Sequence, residues 1–345
     1  MGVDHSRRDQ RDSAHHHRRA RPGPAARAEC VVTDFGEFHD ELRSVAGDVL
    51  AKGSNVEWPS LVEAGWVGLE VPEEFGGAGA TFAEVAVLCE ELGRAAATTS
   101  YLGSAVLSVG VLNMLAPSAV RDELLAGVAT GSVRLAVAMD STDFVPDAEG
   151  ADRLLMASAD GVSVVTPAIV PRPVLDETRR LATVVPGSAA ETLHFADGAV
   201  DPIGLLRDRA AVAVAADSLG TAEAVLAATV DYTKVRHQFG RPIGSFQAVK
   251  HACADMLVQV EVARELVRAA VESVAQGRAD AAASMAKAYA TGVAVDIAGK
   301  AMQLHGGIGY TWESGIHVYL KRAALNRSLY GSPAAHRRQL AKRYR

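Results

Sequence analysis

Between residues 204 and 304, apolar residues recur at helical spacing over three long runs, with a break at Gly240 and Pro242. Val212, Ala215, Leu219, Ala222 and Leu226 make the first stripe. Phe246, Val249, Cys253, Met256, Val260, Val267, Val271 and Val274 make the second, and a third runs from Ala279 to Leu304. A helix of about thirty residues is roughly 45 Å long. Helices of that length bury such stripes by lying side by side, so these runs predict a C-terminal bundle of antiparallel helices resembling a four-helix bundle. Glycine permits φ > 0 and proline lacks an amide proton, which is why the break falls where it does.

The period changes twice upstream. Over residues 31–130 the pattern is helical. Phe35, Phe38, Leu42, Val45 and Val49 repeat at three and four, Trp58 to Ala64 forms a short helix, and Glu73 to Gly79 forms a glycine-rich turn. Thr81 stands where an N-cap would, with Glu84 at capping-box spacing ahead of Val85, Leu88 and Leu92. Further helices run through Leu107 and Val111 and from Ser118 to Leu125. From 131 to 203 the period is two. Strands are expected around Val133 to Val137 and at 153–157, 162–166, 182–185 and 192–195, with a turn at Asp160-Gly161. The expected fold is α+β and mostly α: an N-terminal helical domain, a small β domain, and helical residues 204–345. Residues 1–30, rich in arginine and histidine, read as a disordered tail.

The formal net charge of −6 supplies no broad field for nucleic acid. The three cysteines are far apart, no group has metal-ligand spacing, and no apolar stretch of membrane-spanning length lacks a charge or glycine. These features suit a reducing cytoplasm, with no metal, no nucleic acid and no membrane span.

Two turns carry the candidate ligand chemistry. In Arg236 to Gln247 a guanidinium can make paired hydrogen bonds to a pyrophosphate, Phe239 offers a stacking ring, and Gln247 offers an amide. The competing reading is a plain helix connector with an arginine at a helix C-terminus. Gly306, Gly307 and Gly309 allow backbone to approach an anion. Their competing reading is a helix C-cap, and His305 can be a turn histidine satisfied locally.

The stretch Arg236-His237-Gln238-Phe239-Gly240-Arg241-Pro242-Ile243-Gly244-Ser245-Phe246-Gln247-Ala248-Val249-Lys250-His251 resembles the first flavin-binding turn of acyl-CoA dehydrogenases, and Gln303 to Glu313 resembles the second. Ala64 to Leu69, Val71 to Gly77 and Cys89 to Arg94 are similar to that family's N-terminal domain. The resemblance runs from about residue 34 to the end of the chain. It implies FAD, an acyl-CoA substrate, an electron-transfer acceptor, and α,β-dehydrogenation. In that reaction a carboxylate takes the α-proton while the β-hydrogen leaves as hydride to the flavin. It further implies that Arg236, Phe239 and Gln247 of one chain, with Gln303, Leu304, His305, Gly306 and Gly307 of its neighbour, hold the FAD diphosphate in a homo- or hetero-tetramer.

The chain departs from that family at the base. Counted without gaps, the family's two glutamate positions fall on Tyr330 and Ala210, and a neighbouring arginine falls on Ala211. A phenol with a pKa of about 10 is a poor base at neutral pH. Asp217 lies two turns beyond Ala210 and is the nearest carboxylate further along that helix; its competing reading is a polar residue at a helix contact. Asp208 points about 160° away from Ala210 by helical rotation. Ala138 to Asp143 replaces the stretch that covers the flavin ring in the family. These departures leave three expectations: an FAD-dependent acyl-CoA dehydrogenase, a non-catalytic subunit that completes a partner's flavin site, and an acyl-CoA oxidase-like flavoprotein.

Overall fold

A computed structural model describes residues 36–278 and 281–343, so the expectation for residues 1–30 falls outside the described residues. The N-terminal part holds α1 (Gly36–Leu50), α2 (Trp58–Glu63), α3 (Phe82–Arg94), α4 (Ser108–Leu112) and α5 (Ala119–Thr130). Thr81 opens α3 with the expected capping box. Its hydroxyl accepts from the Ala83 amide at 3.1 Å, and the Glu84 carboxylate accepts from the Thr81 amide at 2.8 Å. One expectation fails in part: Leu102–Leu107, ahead of α4, is a π-helical turn rather than α-helix. In α1, Ala46 and Leu50 are buried, whereas Phe38 and Val45 of the expected stripe stay exposed.

The β region is one five-stranded sheet in the order β1-β3-β4-β5-β2. Its strands are β1 (Leu135–Met139), β2 (Val145–Pro146), β3 (Arg153–Ser158), β4 (Gly161–Arg172) and β5 (Leu181–Leu193). β1 and β3 pair in parallel and the remaining pairs are antiparallel. Sequence periodicity suggests two strands where β5 is one. Pro186 lies past the short pairing with β2, on the open side of β5, where a missing amide proton is tolerated.

The C-terminal part is α6 (Pro202–Val235), the two-residue strands β6 (His237–Gln238) and β7 (Arg241–Pro242), α7 (Gln247–Ala275), α8 (Ala281–His305), α9 (Ile316–Ser328) and α10 (Pro333–Arg343). α6 is long and apolar enough to cross a membrane, yet most of it is packed inside the protein. The five predicted stripe residues from Val212 to Leu226 are all buried.

Glycine lets α3 and α6 touch backbone to backbone. A Cβ on Gly93 would lie 2.0 Å from the Asp217 carbonyl oxygen, and one on Gly220 would lie 1.9 Å from that of Glu90. Beside this crossing Asp217 is fully engaged. Arg322 donates to both of its carboxylate oxygens at 2.9 and 2.6 Å, Arg179 approaches to 2.9 Å, and Asn326 donates at 2.6 Å. Arg322 also donates to the Ala97 carbonyl and the Thr178 hydroxyl. Burial alone would raise the Asp217 carboxyl, but the two guanidiniums and their hydrogen bonds outweigh it and hold it below the usual carboxylate range. The structure thus places Asp217 at a buried helix contact with its oxygens already committed, which argues against it as a base.

Two outcomes follow from this packing. Gly220→Ala should destabilise the fold by about 1–3 kcal/mol in urea unfolding, despite alanine's better helix propensity of ~1 kcal/mol, because main chain cannot move aside. Asp217→Asn should cost about 3–5 kcal/mol at pH 7, since two buried guanidiniums lose their charge partner. The native carboxyl is held low, so its contribution is complete above its ordinary value and fades as pH falls through the lowered one. The stability gap between the two proteins should therefore narrow in acid; a gap that widened would contradict the ion-cluster account.

Candidate functional site

Two surfaces gather the residues singled out in the sequence. The first is a cavity of about 540 Å³ between the end of β1, the first turns of α6 and the turn joining α9 to α10. Asp140, Phe144, Arg207, Asp208, Tyr330 and His336 are among its walls. Tyr330, at the position counted to the family base, is therefore on the cavity wall, as are Ala138 to Ser141 and Asp143 of the stretch counted to the flavin cover. Its backbone is left-handed, with φ of 53°, followed by Gly331 at 98°. Its hydroxyl is buried with no partner among the described residues. Burial pushes the phenol well above its ordinary pKa, and the charge of Asp147 adds to that.

α6 meets the cavity through Gly204, Arg207 and Asp208, spaced as one helical face. Ala210, the other position counted to a family base, lies off that face and is fully buried. The rotation that separates Asp208 from Ala210 is what turns Asp208 toward the cavity. Sequence counting passed over it because it measured from Ala210 rather than from the wall. Arg207 forks onto Asp140, with Nε 2.8 Å from Oδ2, and this hydrogen-bonded pairing holds the Asp140 carboxyl low. Lys287 and His336 also escaped sequence reading. Both are buried beside the Tyr330 turn, and no spacing signal marks either.

The second surface lies at the far end of α6. β6 and β7 form a minimal hairpin in which Phe239 and Gly240 both have positive φ, 55° and 77°. Two consecutive left-handed residues match a type I′ turn, and an aromatic residue there is strained. Phe239 is 90% exposed and touches Phe246 edge-on. Arg236 and Gln247 are exposed nearby, and Arg241 lies over the Phe246 ring at 4.0 Å. Among the described residues neither Arg236 nor Arg241 has a carboxylate partner.

The 303–307 turn is at the same end of the bundle. His305 stacks on Tyr232 with ring centroids 4.2 Å apart, and the Tyr232 hydroxyl donates to the His305 carbonyl at 3.2 Å. His305 Nδ1 donates to the Ala301 carbonyl at 2.8 Å, so this ring is locally satisfied. Leu304 is half-buried, whereas Gln303, Gly306 and Gly307 are exposed. Added Cβ atoms at Gly306 and Gly307 would meet nothing within 4 Å, which leaves open space over the turn. Exposed guanidiniums without carboxylates, an exposed strained ring and bare backbone together fit a dinucleotide's diphosphate and adenosine.

Comparison with known proteins matches residues 35–132 to "Acyl-CoA dehydrogenase, N-terminal domain" and residues 205–345 to "Acyl-CoA dehydrogenase, C-terminal domain". The chain is 40% identical over 287 residues to acyl-CoA dehydrogenase IpdE2 of Mycolicibacterium smegmatis, covering 82% of this chain and 86% of that one. It is 37% identical over 313 residues to IpdE2 of Mycobacterium tuberculosis, covering 90% and 88%. Among solved structures, the "Tcur3481-Tcur3483 steroid ACAD G363A variant" superposes with a TM-score of 0.80 at 27% identity, covering 89% of this chain and 98% of that one. With both of the family's domain patterns in order and relatives of this identity over most of its length, the chain belongs to the acyl-CoA dehydrogenase family, whose chemistry is oxidation at carbon–carbon bonds.

Proposed function

We propose that this chain is a flavin-site-completing subunit of an FAD-dependent acyl-CoA dehydrogenase, paired with a related chain that carries the base. The observation that carries this reading is Tyr330. Where the count places a carboxylate, the cavity wall carries a tyrosine whose hydroxyl is buried, and burial and the charge of Asp147 keep that phenol protonated. It cannot take an α-proton at neutral pH. Its hydroxyl is buried rather than presented to the cavity, so this residue shapes the wall rather than deprotonates.

The length of α6 supports the need for a partner. Roughly 40 Å of helix separates Asp208 at the cavity from Arg236 at the distal turn, at about 1.5 Å per residue. One dinucleotide does not bridge that span. The turns of one chain therefore serve the cavity of another, with Arg236 and Arg241 answering the diphosphate and Phe239 covering a ring. Bound FAD supplies the acceptor for the β-hydrogen. This chain's residues position it, exclude water and shape the cavity. The similar steroid ACAD is named for two components, which accords with a two-chain enzyme.

A second reading rests on Asp208. It is a buried carboxylate on the same cavity wall, and it would make this chain catalytic by itself. Transfer of electrons to oxygen, as in an oxidase, is a third outcome that peroxide release would reveal.

The chain expressed alone should show no bleaching of bound flavin by acyl-CoAs, and activity should require the sister chain. Bleaching by the isolated chain would sink the partner reading, and its loss in Asp208→Asn would establish the second. Tyr330→Glu should raise dehydrogenation by this chain on the order of 10²-fold, the usual scale of a positioned general base. Flavin binding without any gain would show that the cavity is shaped for something other than proton abstraction.

A further inference from the structure

The turn that carries Tyr330 is gripped from behind by two buried basic side chains. Lys287 of α8 is 0% exposed, and its ammonium donates to the Asn326 carbonyl at 3.0 Å and the Gly331 carbonyl at 2.8 Å. His336 of α10 is also buried, with Nε2 2.9 Å from the Tyr330 carbonyl. A carbonyl only accepts, so Nε2 carries the proton. The Ser284 hydroxyl lies 3.1 Å from Nδ1 and steadies the ring. A Cβ on Gly331 would fall 2.9 Å from Nε2, so the imidazole is packed directly on the turn. Carbonyls of residues 326, 330 and 331 thus converge on donors from two other helices.

We propose that Lys287 and His336 are positioning residues: by holding these carbonyls they fix the left-handed turn at Tyr330 and Gly331, and so set the direction of side chain 330 in the cavity wall. The hydrogen bonds of the clamp all go to main-chain carbonyls, so the residue at 330 can change while they are kept. The left-handed conformation of a tyrosine persists only where its surroundings over-determine it, and these bonds supply that. Lys287 has no carboxylate within ion-pair distance among the described residues, and burial lowers its ammonium to about 7. Methionine would fill the same space without that desolvation cost, so the amine is kept for its hydrogen bonds. Burial likewise lowers His336, which keeps the ring neutral at pH 7 and its Nε2 proton on the Tyr330 carbonyl. That the wall so formed meets a thioester rests on the function proposed above; the clamp does not.

The full-length chain labelled with 3-fluorotyrosine at position 330 tests this by ¹⁹F NMR, needing neither flavin nor acyl-CoA. The labelled ring should give a buried resonance that does not titrate in the ordinary phenol range. Glutamine places an amide nitrogen near the imidazole Nε2 position, whereas asparagine places one near Nδ1. His336→Gln should therefore keep the native resonance, while His336→Asn and Lys287→Met should move it toward free fluorotyrosine and restore ordinary titration. Identical spectra for His336→Gln and His336→Asn in folded protein would overturn the proposal, and so would an unmoved resonance in Lys287→Met. If Lys287→Met fails to fold, the histidine pair decides alone. Because the signal is independent of substrate, its failure leaves the functional reading standing, and the failure of that reading leaves the signal interpretable.

Discussion

One carboxylate holds the three parts of this protein in register. Asp217, midway along α6, binds Arg322 and Asn326 of α9 and Arg179 of the loop between β4 and β5. Arg322 in turn reaches the Ala97 carbonyl beyond α3. Helical N-terminal part, sheet and C-terminal bundle therefore meet at one buried ion cluster. Such clusters add little net stability compared with a well-packed apolar core, because desolvation offsets the attraction. What they supply is intolerance of misplacement: a shifted α9 would leave guanidinium and carboxylate buried and unpaired. Since α9 leads directly into the Tyr330 turn, the register set at Asp217 is inherited by the cavity wall.

The same helix divides the chemistry into two ends. Its first turns face the cavity and its last turn leads to the strained hairpin at Phe239. Between them the helix is locked against α3 through Gly93 and Gly220, where main chain meets main chain. On the function proposed above, a rigid element with a candidate ligand surface at each end, too far apart to share one ligand, would act between chains rather than within one. That is why the partner reading and the geometry of α6 belong together.

α7 was legible in the sequence because its burial repeats every three or four residues, whereas α6 is buried around its whole circumference from Asp208 to Ala222; the Thr81 and Glu84 cap was legible because its spacing has a mechanism. The two ligand turns were legible as a pair only through resemblance, since glycine spacing alone describes many helix ends. The partners of Asp217 lie far from it in sequence, and nothing local announces which arginines will find it. Asp208 was passed over for a related reason. A helical-wheel argument fixes angles between residues of one helix, but not which face a distant sheet and turn will close over. Lys287 sits in an alanine-rich helix and looks like a solvated charge until α9 and α10 cover it.

Backbone strain falls at both working ends of the chain. Tyr330 and Phe239 are bulky aromatic residues with φ of 53° and 55°. At Tyr330 the surroundings that enforce this conformation are visible: three carbonyls tied to Lys287 and His336. At Phe239 the described residues offer a hairpin of two-residue strands, closed by the Ile243 amide on the Arg236 carbonyl, and an edge contact with Phe246, while the ring stands in solvent. Strained residues persist where something over-determines them. For Tyr330 that something is intramolecular, so the cavity wall is preformed in the single chain. For Phe239 the described residues supply fewer such contacts, which accords with the proposal that a dinucleotide and a second chain finish this surface. The two ends therefore differ in kind: the turn at Tyr330 is held by buried donors of its own chain, whereas the turn at Phe239 is exposed.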